Sequence, residues 1–158
     1  MRVGIGHDLH PLVAGRPLIL GGVHVPHDRG LQGHSDGDVL THAVVDALIG
    51  AAGEGDIGRW FPDTDPRYRG IDSLGLLRQV AESLSARGWQ VGNVDASIVA
   101  QQPRLSSFLD TMRTNLAGAM SVDATAVNVK ATSPEGVGSL GHEDAIAAFA
   151  TALIERDA

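Results

Sequence analysis

Two histidines and one aspartate are the side chains in this sequence best suited to chemistry. Asp8 and His10 are separated by one residue, and His42 lies in a predicted helix. Alternate residues of a strand project to the same face, so Asp8 and His10 can contact one metal ion together. A helix packed beside that strand adds His42, and three such ligands with a fourth position open are typical of catalytic zinc. Either histidine alone would be interpreted as an ordinary polar residue, but the three together predict a metal centre.

Asp46 follows His42 by four residues and therefore shares its helix face. One hypothesis is that Asp46 orients the second ring nitrogen of His42, as carboxylates do around metal-bound imidazoles. The alternative is a solvated helix residue, and the sequence does not decide between them.

His34 and Ser35 precede the same predicted helix. Helix N-termini attract phosphate through unpaired backbone N–H groups, and these two side chains add hydrogen-bond donors. Ser35 could also serve only as the helix cap, whereas Asp36 and Asp38 oppose an anion and are expected to cap the helix and steady the loop.

Two further loops carry polar groups suited to a phosphorylated ligand. Asp56-Ile57-Gly58 and Asp63-Thr64-Asp65 form an acidic loop that could hold the diol of a ribose, although such acids are more often solvated turns. The run from Lys130 to Gly138 leaves a strand and offers hydroxyls for phosphate and Glu135 for a hard cation such as magnesium.

Composition narrows the classes of function. The 158 residues predict one domain over residues 1–158, and the net charge of -7 with no basic patch argues against nucleic-acid binding. Any metal must be held by nitrogen and oxygen, because the chain contains no cysteine. No apolar run is long enough to cross a membrane, and we expect a cytoplasmic protein.

Hydrophobic periodicity predicts an α+β fold, with a mixed β-sheet and helices packed mainly on one face. The predicted strands cover residues 1–10, 17–20, 23–25, 91–100 and 126–132, the second and third of them forming a hairpin. The predicted helices cover residues 36–52, 72–88, a segment after Pro103 and Glu143 to Arg156, and residues 58–70 are expected to be a loop.

Several of these segments, in this order, resemble the 2-C-methyl-D-erythritol 2,4-cyclodiphosphate synthase family of the non-mevalonate isoprenoid pathway. The resemblance covers essentially the whole chain. It rests on Gly6-His7-Asp8-Leu9-His10, Gly33-His34-Ser35-Asp36-Gly37-Asp38, His42 with Asp46-Ala47-Leu48, Gly55-Asp56-Ile57-Gly58, Phe61-Pro62-Asp63-Thr64-Asp65-Pro66, Gly92-Asn93-Val94-Asp95 and Asn128-Val129-Lys130-Ala131-Thr132.

The resemblance implies a phosphorus–oxygen lyase that acts on 4-diphosphocytidyl-2-C-methyl-D-erythritol 2-phosphate. The 2-phosphate attacks the β-phosphorus, closes a cyclic diphosphate and expels CMP, so positioning and charge neutralisation matter more than a protein nucleophile. The alternatives are a zinc-dependent phosphoesterase and a non-catalytic trimeric ligand-binding protein. Some family members are fused to a cytidylyltransferase, and we expect a single activity here.

The resemblance also implies roles for individual residues. Zn²⁺ is implied at Asp8, His10 and His42, and Mg²⁺ or Mn²⁺ at Glu135 with the substrate diphosphate. His34 and Ser133 are implied as catalytic. The implied substrate contacts are Asp8, His10, His34, Ser35, Asp56, Ile57, Gly58, Phe61, Asp63, Asp65, Ala100, Arg104, Leu105, Ser106, Ala131, Thr132, Ser133, Glu135 and His142.

A homotrimer with its sheets around a central axis is a further implication of the resemblance. Its active sites lie between subunits, with the zinc and ribose contacts on one chain and the cytosine pocket on its neighbour. The segment from Gly138 to Asp144 departs from the family's Gly-Arg-Gly-Glu run. In some members that arginine contacts an isoprenoid diphosphate in the central cavity, and we do not expect the same contact from His142.

Overall fold

Strands and helices are mixed along residues 1–156, which are the residues that the structure, a computed structural model, describes. The strands are β1 (Arg2–Ala14), β2 (Leu18–Leu20), β3 (Val23–Val25), β4 (Arg29–Leu31), β5 (Trp89–Val99), β6 (Val127–Thr132) and β7 (Ala145–Arg156). The helices are α1 (Val39–Ala52), α2 (Ile57–Trp60), α3 (Ser73–Ala86), α4 (Leu109–Met120) and α5 (Gly138–Gly141), with single 3-10 turns at Pro66–Tyr68 and Ala124–Ala126.

The main sheet contains five strands in the order β4-β1-β7-β5-β6. β5 and β6 are parallel, whereas the other neighbouring pairs are antiparallel. β2 and β3 form a separate hairpin. The mixed sheet predicted from the sequence is therefore confirmed, together with the hairpin near its start.

Helices α1, α3 and α4 cover one face of this sheet, as predicted. Leu48, Leu77, Leu116, Ile98 and Ile146 are fully buried between the two layers, which places the core there. The opposite face of β1 and β7 is uncovered and exposes Val3, Ile5, Leu9 and Phe149. None of the described helices is both long enough and apolar enough to span a membrane.

β1 and α1 approach each other unusually closely at Gly6. A Cβ atom added at Gly6 would lie 2.0 Å from the carbonyl oxygen of Ala43, which is far inside van der Waals contact. Only glycine fits this approach, and the neighbouring residues of both elements are metal-ligand candidates. The packing therefore brings His42 of the helix to the same side as Asp8 and His10 of the strand.

The start of α1 differs from the prediction by three residues. The cap is Asp38, whose carboxylate accepts a hydrogen bond from Thr41 N, and not Ser35. Gly37 has a φ of +79°, a left-handed conformation that interrupts the helix before Asp38. Ser35 is thereby released from capping and lies in the preceding loop.

The helix predicted from Glu143 to Arg156 is wrong, because this segment forms β7. The spacing of Ile146, Phe149, Ala150 and Leu153 predicts one buried face of a helix. In the structure, β1 and β5 pair with both edges of the segment, so tertiary pairing overrides local propensity. Ile146 and Ala150 face the helices, whereas Phe149 projects to the open face.

Candidate active site

Asp8, His10 and His42 converge where the middle of β1 meets the first turn of α1. Asp8 Oδ2 lies 2.8 Å from His10 Nε2 and 2.9 Å from His42 Nδ1, and the two ring nitrogens are 3.2 Å apart. Tetrahedral zinc with bonds of about 2.0–2.2 Å separates its ligand atoms by roughly 3.3 Å. The donor set and its spacing therefore fit one metal ion, as the sequence predicted.

The electrostatics of this cluster favour a charged carboxylate. Burial raises the pKa of Asp8, but hydrogen bonds and charges from His10 and His42 outweigh it and leave the pKa well below its usual range. Burial lowers the pKa of His10, whereas its hydrogen bond with Asp8 and the charge of Asp8 raise that pKa above its usual value. Asp8 therefore stays ionised and available to a cation throughout the neutral range.

The second ring nitrogen of His42 does not contact Asp46. His42 Nε2 lies 2.9 Å from Ser35 Oγ and 2.9 Å from Ser73 Oγ. The Asp46 carboxylate instead accepts a hydrogen bond from Ile57 N at 3.0 Å and so holds the start of α2. The hypothesis that Asp46 orients His42 is wrong, because the Asp46 carboxylate binds the backbone of Ile57 and two serine hydroxyls occupy the second ring nitrogen of His42.

A cavity of about 410 Å³ opens beside the metal-ligand cluster. It brings together most residues predicted for the zinc and ribose side of the site. Those that line it are Asp8, His10, His34, Ser35, His42, Ile57, Gly58, Phe61 and Asp63, with Tyr68 and Leu76 among the residues not predicted.

Two predicted acids lie outside this lining. Asp56 caps α2 by accepting a hydrogen bond from Arg59 N, and it is exposed. Asp65 pairs with Arg67 at 2.6 Å, and hydrogen bonds from Arg67 hold the pKa of Asp65 below its usual range. The backbone carbonyl of Asp65 lies 3.3 Å from His34 Nε2, which ties this loop to the cavity wall.

A second cavity of about 460 Å³ lies where β5 and β6 end. All residues predicted for the cytosine and cytidine-side phosphate contacts line it: Ala100, Arg104, Leu105, Ser106, Ala131, Thr132, Ser133 and Glu135. The two cavities share no lining residue. His142, at the end of α5, is exposed and lines neither of them.

Three residues that support these cavities were missed by the sequence reasoning. Arg16 donates to the carbonyl oxygens of Gly33 and Ser35 and so holds the loop that carries His34. Gln101 Oε1 accepts a hydrogen bond from Gly136 N at 3.0 Å and steadies the loop after β6. Ser73, at the start of α3, contacts His42 Nε2, and no local signal in the sequence connects the two residues.

Comparison with known proteins shows the family of this chain. A model of the YgbB family matches residues 1–155. The chain belongs to the YgbB family. The resemblance predicted from the motifs is thereby confirmed.

Two relatives show how the family match extends along the chain. The 2-C-methyl-D-erythritol 2,4-cyclodiphosphate synthase of Alkaliphilus oremlandii is 54% identical over 154 residues, which cover 98% of both proteins. The bifunctional enzyme IspD/IspF of Desulforudis audaxviator is 61% identical over 154 residues. That match covers 98% of this chain but 39% of the bifunctional protein, so the chain corresponds to one part of it.

A solved structure shares the YgbB-family fold described above. The IspF of Plasmodium falciparum, determined as a CDP complex, is 31% identical and superimposes with a TM-score of 0.87. The match covers 99% of this chain and 97% of the Plasmodium chain.

Proposed function

We propose that this chain converts 4-diphosphocytidyl-2-C-methyl-D-erythritol 2-phosphate to 2-C-methyl-D-erythritol 2,4-cyclodiphosphate and CMP, and thus acts as a phosphorus–oxygen lyase in isoprenoid precursor biosynthesis. The observation that carries the proposal is the convergence of Asp8, His10 and His42 at a cavity also lined by His34, in a member of this family. A new bond forms between a 2-phosphate oxygen and the β-phosphorus. The bond from that phosphorus to the CMP oxygen breaks, and CMP leaves.

The nucleophile belongs to the substrate, so the protein's task is to position two phosphate groups and offset their charge. His34 lies on the wall of the first cavity and Ser133 on the wall of the second, and we assign both to phosphate oxygens near the reacting phosphorus. Ser35 is placed to share this contact, because its hydroxyl lies at the same cavity wall.

Zinc is the metal that we propose for Asp8, His10 and His42, since two imidazoles and a carboxylate with an open position suit it. When bound, it would supply Lewis acidity toward a phosphate oxygen. Glu135, an exposed carboxylate in the second cavity, is assigned to Mg²⁺ or Mn²⁺ accompanying the diphosphate.

The second cavity is assigned to the cytidine part of the substrate. Ala100, Leu105 and Ala131 provide its apolar wall, whereas Arg104 and Ser106 supply donors. The CDP complex of the related Plasmodium protein supports a cytidine nucleotide as the ligand class. Thr132 and Ser133 are then placed for the phosphates, with Asp56 and Gly58 assigned to the ribose.

A homotrimer is proposed because each half of the site occupies its own cavity. The metal cavity and the cytidine cavity share no residue, and the sheet face beside β1 and β7 is apolar and uncovered. Apolar sheet faces of this kind are typical of interfaces. In the proposed assembly the sheets surround a central axis, and each active site combines the metal cavity of one subunit with the cytidine cavity of its neighbour.

We further propose that residues 1–158 form one domain, since the described elements share one core. The cytoplasmic location and the absence of nucleic-acid partners remain predictions, which cell fractionation and binding assays would test.

Incubation of the purified protein with the diphosphocytidyl substrate, zinc and magnesium, followed by phosphorus NMR, tests the function. We expect a cyclic diphosphate that accumulates in step with CMP, and its loss in Asp8→Ala with the circular dichroism spectrum unchanged. Asp28→Ala is the matched control, because its carboxylate is 81% exposed. Linear or inorganic phosphate products would instead identify a hydrolase, and no product from folded, metal-loaded protein would contradict the proposal.

A further inference from the structure

Ser73 is the first residue of α3 and is completely buried beside His42. We propose that Ser73, held by Asp36, is a positioning residue that fixes the His42 ring with Nδ1 directed at the metal. Neither residue lines the metal cavity, so this role does not require contact with substrate. The inference rests on the proposed metal site and is independent of the reaction that the site performs.

The partners of the two His42 ring nitrogens determine which nitrogen carries the proton. Nδ1 faces Asp8 and His10, so binding of a metal requires its lone pair to be free and the proton to reside on Nε2. Ser73 Oγ lies 2.9 Å from Nε2, within range to accept that proton in a hydrogen bond. This contact therefore selects the ring form that a metal needs.

Asp36 leaves the Ser73 oxygen available as an acceptor. The Ser73 hydroxyl donates to Asp36 Oδ1 at 2.5 Å, and the Ser73 backbone N–H donates to Asp36 Oδ2 at 3.0 Å. Because its own proton is engaged by the carboxylate, Ser73 Oγ presents lone pairs toward His42. The result is a series of hydrogen bonds from the His42 imidazole to the Ser73 hydroxyl and on to the Asp36 carboxylate. Through the buried serine, the negative charge of Asp36 favours the His42 ring form that can bind a metal.

Ser35 offers a second hydroxyl to the same nitrogen, also at 2.9 Å. Its situation differs, because Ser35 lines the cavity where we place the substrate phosphates, and its other contacts are long: a 3.3 Å hydrogen bond from Gly37 N and a 3.4 Å approach to Ser73 Oγ. A bound phosphate can recruit the Ser35 hydroxyl. Ser73 is fixed by two bonds to Asp36 and stays with His42 whether or not substrate is bound.

Zinc affinity of the purified protein, measured by competition with a chromophoric chelator, tests this role directly. The variants are Ser73→Ala and, as a matched control on the same helix, Ser85→Ala at an exposed position. We expect Ser73→Ala to weaken zinc binding about tenfold or more, the loss typical of a residue that orients a metal ligand. We also expect an altered visible absorption spectrum of the cobalt-loaded protein, and wild-type values for Ser85→Ala.

Asp36→Asn tests the other end of this hydrogen-bond series, and it tests the proposed role of Ser73 even if Ser73→Ala does not fold. It leaves the hydroxyl in place and removes the charge that orients it, so we expect an affinity below that of wild type and an altered cobalt spectrum. Wild-type zinc affinity in every folded variant of Ser73 and Asp36 would overturn the inference alone. A wild-type protein that binds no zinc, or whose affinity survives Asp8→Ala, would overturn the metal site and the inference together.

Discussion

A proton and a metal ion compete for the same nitrogen of His10. The Asp8 carboxylate lies 2.8 Å from His10 Nε2 and raises the pKa of the ring despite its burial, so the metal-free cluster retains that proton further into the neutral range than an isolated histidine. Asp8 itself remains ionised, because its interactions with the two imidazoles outweigh the effect of burial on its pKa. Binding of a cation must therefore release the proton on His10.

Zinc affinity is accordingly expected to fall as the pH drops through the raised pKa of His10, and to level off above it. The displacement of one proton corresponds to a change of about tenfold per pH unit below that pKa. Isothermal titration calorimetry in two buffers of different ionisation enthalpy would measure the released proton directly. A zinc affinity that stays constant from pH 5 to pH 8 would contradict the displacement of a proton from His10.

The metal ligands were predictable from the sequence, whereas the residues that hold the ligand side chains in position were not. Asp8 and His10 follow from the alternation of a strand, and His42 adds the third donor from a neighbouring helix. Ser73 contacts both His42 and Asp36 only because the loop before α1 folds against the start of α3. Such contacts depend on tertiary structure, and the local spacing that suggested Asp46 for the same role was misleading.

The contact between β1 and α1 decides whether the metal ligands can meet at all. Gly6 lies on the face of β1 that packs against α1, and the Ala43 carbonyl occupies the space that a side chain would need. The strand contributes two ligands and the helix contributes one, so any separation of the two elements moves His42 away from Asp8 and His10.

Gly6→Ala is therefore expected to destabilise the protein by about 1–3 kcal/mol and to weaken zinc binding at the same time. Urea denaturation and chelator competition would measure the two effects. Gly118→Ala provides the matched control, since it lies in α4 with open space around it. There the same substitution should stabilise the helix by about 0.5–1 kcal/mol. Equal effects of the two substitutions would argue against the packing explanation.

The type of an element was predictable where only one of its faces is buried, because the hydrophobic residues then recur with the period of a helix or a strand. Val94, Ala96 and Ile98 alternate toward the core along β5, and Met112 and Leu116 lie one turn apart on the buried face of α4, so periodicity alone predicts both elements. The same reasoning failed for β7, whose small apolar residues satisfy helical and extended patterns alike. Its identity is determined by the two strands that pair with it, and these are distant in sequence.

The main sheet has one face covered by helices and one open face, of which the half formed by β1 and β7 is apolar. Val3 and Ile5 of β1 are 65% and 73% exposed, and Phe149 of β7 is 44% exposed. In contrast, β5 and β6 present Asp95 and Lys130, which form an ion pair on the same side of the sheet. An apolar half beside a polar half suits a surface that meets copies of itself around an axis.

Ile5→Asp is expected to dissociate the proposed trimer, because it places a charge within the apolar half of this face. Analytical ultracentrifugation would show a shift from trimer to monomer, while Ser85→Asp on the helix side should leave the trimer intact. Assembly of Ile5→Asp indistinguishable from wild type would exclude this face as the interface.

The proposed position of each active site between two subunits leads to a second prediction about the assembly. Asp8→Ala and Glu135→Ala are each expected to be inactive, since they remove residues from the metal cavity and the cytidine cavity respectively. After the two variants are unfolded and refolded together, mixed trimers should regain activity, because some interfaces then combine two intact halves. A mixture that stays as inactive as its components would indicate that each subunit holds a complete site.

The position of β7 also affects how the protein is made. This strand follows every other described element in the chain, yet it lies between β1 and β5, and it pairs with β1 from Arg2 to Pro11. Pairings between such distant segments form late, because the intervening chain must first be ordered. During translation, β1, which carries Asp8 and His10, cannot pair with β7 until β7 has been synthesised. We therefore expect the protein to acquire its metal after synthesis of β7 is complete.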